Sequence, residues 1–389
     1  MGHVALLLAE LGAVVLGLGL MARLANRLAI SPIPLFLLAG LALGEGGLIP
    51  IVTSEEFIEV GAEIGVIFLL LMLGLEYSAG ELVAGMRSVA PAGLLDLALN
   101  FTPGVAAGLL LGWPVVAALF LGGVTYISSS GVIAKLLNDM GWTGNRETPV
   151  VLSLLVFEDL VMAVLLPILG VLALGGTLSG AILAIAIALT VVIAVIAFAY
   201  RQGDKIGELI FHTSDEVSLL TVLGLTLLVA GLAEGIGVSA AVGAFLVGIS
   251  VAGPAVERAQ ALLSPLRDLF AAVFFVFFGL STDPADIPGV LLVAVALGLV
   301  TAATKVVVGR WASRRNDIGS RGQIRAGLLL IPRGEFSIII AGLGAGVAGG
   351  GELPALAAAY VLLMAVAGPV AVRIQQSRQE RAVAVASPE

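Results

Sequence analysis

Residues 150–169 read VVLSLLVFEDLVMAVLLPIL. Eighteen of these twenty positions carry no ionisable group, yet Glu158 and Asp159 stand side by side at the centre. A run of about 20 apolar residues is what a helix needs to cross the hydrocarbon core of a bilayer. Charge at that depth costs at least ~2.5–3.5 kcal/mol per residue on insertion scales, so each acid needs a partner or a watery cavity. The stretch reads as a membrane helix that keeps two carboxylates where burial is most expensive.

Composition extends that reading to the whole chain. Of 389 residues, 59% are hydrophobic and 12% charged, against about 25% charged in an ordinary soluble domain. Mean hydropathy is +1.13, and a single soluble core cannot absorb so much apolar surface, so the protein is polytopic in a membrane. The sequence has no Cys, which excludes disulfides, thiol chemistry and Cys-based metal sites. His3 and His212 fall in terminal and loop contexts and make no metal cluster. With no nucleophile–base pair and no ligand set, enzymatic chemistry is not expected, nor is a cofactor or a nucleic-acid partner.

Thirteen apolar spans can be placed, near 4–22, 32–48, 57–75, 88–111, 115–137, 149–172, 177–199, 216–234, 238–254, 267–281, 288–310, 322–345 and 353–372. The first is too long, and has Arg23 and Arg27 on the wrong flank, for a cleaved signal peptide. If the spans alternate, one face collects 17 of the 19 basic residues, from Arg23, Arg27 and Arg87 through Arg310, Arg314 and Arg315 to Arg381. The other face has none and carries Glu45, Glu55, Glu56, Glu234, Asp283, Asp286 and Glu352. A missed or invented helix would scramble this sorting. The positive-inside rule then puts the N-terminus outside and the C-terminus in the cytoplasm.

Lys305 and Arg333 are the remaining bases, and both lie within spans, as do Glu10, Glu63, Asp96, Glu158, Asp159 and Glu335. Trp113, Trp142 and Trp311 fall near span ends, where indoles anchor at the membrane interface.

Weak self-similarity runs through the chain. VIFLLLMLGLEYS (66–78) resembles FAAVFFVFFGLSTD (270–283), aligning Gly74 with Gly279 at a shift of 205, and FLLAGLALG (36–44) resembles AFLVGISVAG (244–253), pairing Gly40 with Gly248 at a shift of 208. Helices one to six and eight to thirteen flank a single linking helix, and an odd linker turns the second half upside down. Inverted halves with a midplane binding site are the plan of many secondary transporters. The same shift carries TYISSSGVI (125–133) onto LIPRGEFSI (330–338). Small hydroxyls with Gly131 in one, and Pro332 with Gly334 in the other, make both stretches candidates for locally unwound backbone. Two broken helices crossing at mid-membrane leave helix-end dipoles to compensate. Arg333 suits a negative end and Glu335 a positive one.

Asp159 is about ten residues from each end of its helix and hence near the midplane at 1.5 Å per residue. Ser128, Ser129, Ser130 and Arg333 lie at similar depth, and Lys305 somewhat toward the cytoplasm. A static network of Glu158, Asp159 and Lys305 is the bland reading, but two acids against one cation leave a surplus negative charge. Such a carboxylate takes up a proton, or holds a dehydrated monovalent cation, and cannot hold both fully at once. Asp96 and Asn100 share a face at i, i+4. Asn100 falls opposite Lys305 in the repeat, so both are possible borders of the site.

The segments YISSSGVIAKLLNDMG (126–141), FEDL (157–160), ATKVVVG (303–309) with Lys305, and PRGEFS (332–337) resemble, in order and spacing, the membrane domain of the monovalent cation:proton antiporter superfamily. The likeness is to the branch holding the Kef-type potassium efflux systems, and it covers essentially the whole chain. It implies an all-α, NhaA-like antiporter fold with thirteen transmembrane helices, an inverted 6+6 repeat and crossed discontinuous helices. It also implies a homodimer in the cell membrane and an elevator-like mechanism. Scaffold helices would occupy 1–80 and 216–283, and core helices 85–172 and 286–372. The linker helix at 177–199 and a short cytoplasmic tail at 373–389 complete the division.

By the same resemblance, Asp159 matches the carrier that alternately holds a proton and the cation, K+ more than Na+. Lys305 matches the base that pairs with it in one state, Ser128–Ser130 the crossover that lines the ion site, and Arg333 and Glu335 its partner crossover. Glu158 departs from the Gln usual in Kef-type members, which leaves selectivity and stoichiometry open. Two titrating groups permit two protons per cation; one suits one-for-one exchange. The tail RIQQSRQERAVAVASPE (373–389) is too short to fold as the nucleotide-binding domain such proteins usually carry. Either a separate soluble cytoplasmic subunit regulates the protein, the chain is minimal, or a C-terminal domain has been removed. A sodium-coupled symporter for an organic anion, and a gated cation channel, are the rival readings.

Overall fold

The computed structural model describes residues 3–27, 32–44, 47, 55–76, 79–173, 186, 190, 201, 214–235, 240–251 and 255–386. The linker helix expected over 177–199 lies outside them except at isolated positions, as do Glu45, Lys205 and His212. The side chains of His3, Glu10, Glu55, Glu56, Arg87, Lys135, Arg378 and Arg381 lie outside them too.

Among the described residues every regular element is helical. In chain order these are α1 His3–Arg27, α2 Ile33–Leu43, α3 Glu55–Glu76, α4 Ala79–Leu110, α5 Val115–Tyr126, α6 Ser130–Asp139 and α7 Thr148–Ala173. The second half holds α8 Asp215–Gly235, α9 Ala240–Ser250, α10 Ala255–Leu280, α11 Ile287–Arg314, α12 Ser320–Leu329, α13 Glu335–Gly344 and α14 Leu353–Ala386. Among the described residues seven stretches are long and apolar enough to cross a membrane, and four shorter apolar helices accompany them. Large aliphatic side chains face outward, among them Leu110, Leu228, Leu292 and Leu299. In water that surface would be an aggregation hazard; against lipid tails it is the expected exterior.

The backbone breaks are where the span pattern alone is insufficient. The span expected at 115–137 is two helices, α5 and α6, with extended backbone at Ile127 (φ −75°, ψ 134°) between them. The span expected at 322–345 is likewise α12 and α13, parted by residues 330–334. Pro332 has no N–H to donate and Gly334 adopts φ −161°, ψ −133°, so helical bonding cannot pass through. At the other extreme, α14 does not stop near residue 372 but runs to Ala386. Its last stretch is rich in Ala, Arg and Gln, which are good helix formers.

Two sets of helices pack among themselves. In one, α3 packs on α9 and α10, α2 on α10, and α9 on α8. In the other, α4 packs on α5, α7 and α11, α11 on α12 and α14, and α13 on α5 and α14. Close backbone approach joins the first set. A Cβ on Gly40 would stand 2.7 Å from the Gly279 Cα, and one on Gly74 would stand 2.9 Å from the Gly248 Cα. Only glycine admits helices this near each other. Contacts between the sets run through α14 on α2, α13 on α10 and α7 on α9.

Candidate functional site

The two breaks lie against each other. Ser129 N–H donates to the Pro332 carbonyl at 2.9 Å, joining the crossovers through their backbones. Interrupting a helix strands its last carbonyls and concentrates the negative end of its dipole there. Arg333, with no exposed surface, answers this for two helices at once. It donates to Thr125 O at the end of α5 (Nη2, 3.0 Å) and to Leu330 O and Ile331 O after α12 (Nη1, 3.0 and 2.9 Å). Ser337 Oγ donates to Val124 O at 2.8 Å. Glu335, in the first turn of α13, accepts from Ser129 Oγ at 3.0 Å, beside the start of α6.

Facing this crossing, α7 presents Glu158, 1% exposed, and Asp159, 3% exposed. Adjacent helix positions differ by about 100° in direction, so the two acids address different neighbours. Glu158 Oε2 accepts from the Ser128 backbone N–H, and Oε1 accepts from Ser128 Oγ at 3.1 Å and from Lys305 Nζ at 2.8 Å. Ser128 Oγ also lies 3.0 Å from Leu330 O, tying the acid to the second crossover. Ser130 is half-buried at the start of α6.

Lys305, fully buried on α11, has a second carboxylate partner: Asp96 Oδ2 at 2.7 Å. Asp96 Oδ1 accepts from Asn100 Nδ2 at 2.9 Å, and Asn100 Oδ1 accepts from Thr304 Oγ1 at 2.7 Å. The shift of 205 residues thus points Asn100 at the residue adjoining its actual partner. The ammonium also lies 5.5 Å from the centre of the Tyr126 ring. Sequence reading grouped Lys305 with Glu158 and Asp159; its ion pairs here include Glu158 and also Asp96. Asp96 and Asn100, expected only at the border, belong to the central cluster.

Tyr126, Thr304 and the Thr301–Tyr360 hydroxyl pair, 2.8 Å apart, were not singled out in the sequence. Their signals were adjacency to the YISSSG and ATKVVVG stretches, too faint in so apolar a chain. Glu63 lines a cavity of about 370 Å³ with Phe274, Thr282 and Gly342, between the two helix sets.

A lipid-facing helical bundle crossed by two interrupted helices, with buried carboxylates at the crossing, is the architecture in which ion-coupled transporters hold their cargo. The chain belongs to the family described as "Sodium/hydrogen exchanger, transmembrane", whose model matches residues 12–374. It is 34% identical over 372 residues to the K(+)/H(+) antiporter subunit KhtU of Bacillus subtilis, covering 93% of this chain and 91% of that one. It is 33% identical over 350 residues to the ammonium/H(+) antiporter subunit AmhT of Alkalihalophilus pseudofirmus, covering 88% and 86%. In fold it resembles the sodium proton antiporter MjNhaP1 of Methanocaldococcus jannaschii, with TM-score 0.69, 18% identity, and 96% and 98% of the two chains covered. Membership in the monovalent cation:proton antiporters, read from the crossover and FEDL segments, agrees with these relatives.

Proposed function

We propose that the protein is a secondary active antiporter that exchanges a monovalent cation, K+ more than Na+, for H+, with Asp159 as the shared carrier. The observation that carries this reading is the burial of two adjacent carboxylates, Glu158 and Asp159, where α7 meets the crossing of two interrupted helices. A carboxylate visited alternately by proton and cation couples the two flows, because it cannot hold both fully.

The domain division proposed with it assigns α1 to α3 and α8 to α10 to a dimerisation scaffold. The set containing α4 to α7 and α11 to α14 becomes the mobile core. Their separate packing supports elevator-type movement. An inverted repeat is supported by the glycines: pairing 40 with 248 and 74 with 279 exchanges the Gly40–Gly279 approach for the Gly248–Gly74 one. Both bacterial relatives carry the word "subunit" in their names, which supports a separate regulatory partner. A homodimer in the cell membrane, N-terminus outside, completes the proposal.

Proteoliposomes holding a pH dye test it, challenged with K+, Na+, Li+, ammonium and choline. Antiport gives dye responses to at least one of the first four and none to choline, and Asp159→Asn abolishes them. Passive conduction at channel rates, or coupled exchange that survives Asp159→Asn, sinks the reading.

A further inference from the structure

We propose that the cavity at the basic ends of α4, α7 and α11 is a seat for the headgroup of an anionic phospholipid, with Arg315 as its phosphate ligand. The inference goes beyond the exchange chemistry and needs only that the chain lies in a membrane. Three membrane-crossing stretches, Ala90–Leu110, Thr148–Ala173 and Pro284–Arg314, have one end each at a cavity of about 360 Å³. Small-molecule sites are of this size, roughly 300–1,000 Å³. Ser153, Arg315 and Asn316 give the cavity its polar lining, and Trp311 gives it an aromatic wall. The Arg315 guanidinium lies over the Trp311 indole, 4.9 Å from the ring centre, which holds the charge at the cavity. Among the described residues no carboxylate is within ion-pair distance of it. Asn316 gives one amide N–H to Ala312 O at 2.9 Å and keeps its second for a ligand.

Basic residues at the end of α11 also offset the negative end of its dipole, which accounts for Arg314. It does not account for a cavity with a guanidinium in its wall. The charge around it is one-sided: Arg146, Arg310 and Arg314 stand exposed at the same helix ends. Glu147 is held by Arg325 at 2.6 Å, which leaves Asp317 as the acid beside them in sequence. Basic pockets between membrane helices take anionic lipid headgroups. What selects a lipid over a free phosphate is the surface above the cavity. One turn further into the membrane from Pro91, Pro149 and Trp311 stand Leu94, Leu152 and Val307, which are 58%, 44% and 53% exposed. These aliphatics give acyl chains a track continuous with the seat, and Trp311 sets its depth at the interface. Ala92 and Leu154, in the same cavity wall, are one turn from Asp96 and Glu158. A bound headgroup therefore braces the three helices that carry the ion-pair cluster.

Purified full-length protein, delipidated in detergent, tests this by native mass spectrometry and thermal unfolding with added phosphatidylglycerol or phosphatidylcholine of identical chains. Wild type should retain phosphatidylglycerol about tenfold better than phosphatidylcholine, and unfold at a higher temperature with it. Arg315→Gln should weaken that retention by about five- to tenfold through loss of a charged phosphate contact. Arg321→Gln, which changes an exposed arginine outside the cavity, should stay within about twofold of wild type. Ser153→Leu fills the cavity while keeping every charge, and should lose the preference as Arg315→Gln does. Equal retention of the two lipids overturns the proposal. So does equal loss in Arg315→Gln and Arg321→Gln, which would make the effect one of diffuse surface charge. Glycerol phosphate or inorganic phosphate stabilising the protein as well as the lipid does would make the occupant a free anion, and overturns it too. If Ser153→Leu splits a dimer and leaves lipid retention intact, the cavity is a contact between copies and the proposal ends there.

Discussion

Lys305 and Asp96 form a fully buried ion pair, Nζ to Oδ2 2.7 Å, between α11 and α4. Because Glu158 takes the same ammonium at 2.8 Å, one cation is shared by two carboxylates on two helices. Breaking such an arrangement from one side leaves buried charge uncompensated, whereas removing all its members together does not.

Lys305→Met is accordingly expected to destabilise the protein by about 3–5 kcal/mol. Adding Asp96→Asn and Glu158→Gln should recover most of that loss. Unfolding in detergent of the single and triple variants checks this; a triple variant no more stable than the single would show that the cluster's charges are not what hold α4, α7 and α11 together.

Glu158 bound on both oxygens is read as a fixed counterion, so exchange is expected to move one proton per cation and no net charge. Rates in proteoliposomes should not respond to a membrane potential imposed with an ionophore for an ion the protein does not carry. Acceleration under one polarity would instead make Glu158 a second proton carrier.

If Asp159 alternates between proton and cation, acid opposes the cation by mass action. Lowering pH fills the carrier with protons, so the apparent KM for the cation should rise by about tenfold per pH unit on the acid side of the profile. Raising pH removes the competition and KM levels off. Initial rates over a grid of pH and cation concentration decide it; a KM flat across the acid range contradicts a shared site.

Gly40→Ala and Gly74→Ala place a Cβ within 2.9 Å of a facing glycine's Cα, and each should cost about 1–3 kcal/mol through overpacking. Gly12→Ala on α1, where nothing lies within 4 Å, serves as the neutral control. Thermal unfolding of the three variants measures the difference. Equal stability throughout would mean that the close approach of α2 to α10 and of α3 to α9 is not needed.

That the chain is a bundle of apolar helices is a one-dimensional property: a helix must be apolar over its own length to cross a bilayer. Broken helices were equally legible, since Pro332, Gly334 and the serine run act on their own backbone. Arg333 and Glu335 could be matched to helix ends because each break strands its dipole locally.

Partnership was the part the chain order concealed. The sequence grouped Lys305 with Glu158 and Asp159, but nothing in it says that Asp96 shares the same ammonium, that Asn100 meets Thr304 or that the Tyr126 ring lies against Lys305. Those pairings depend on which faces α4, α7 and α11 turn to one another. That choice minimises the cost of unpaired charge over the whole bundle, and so only the tertiary structure could make it.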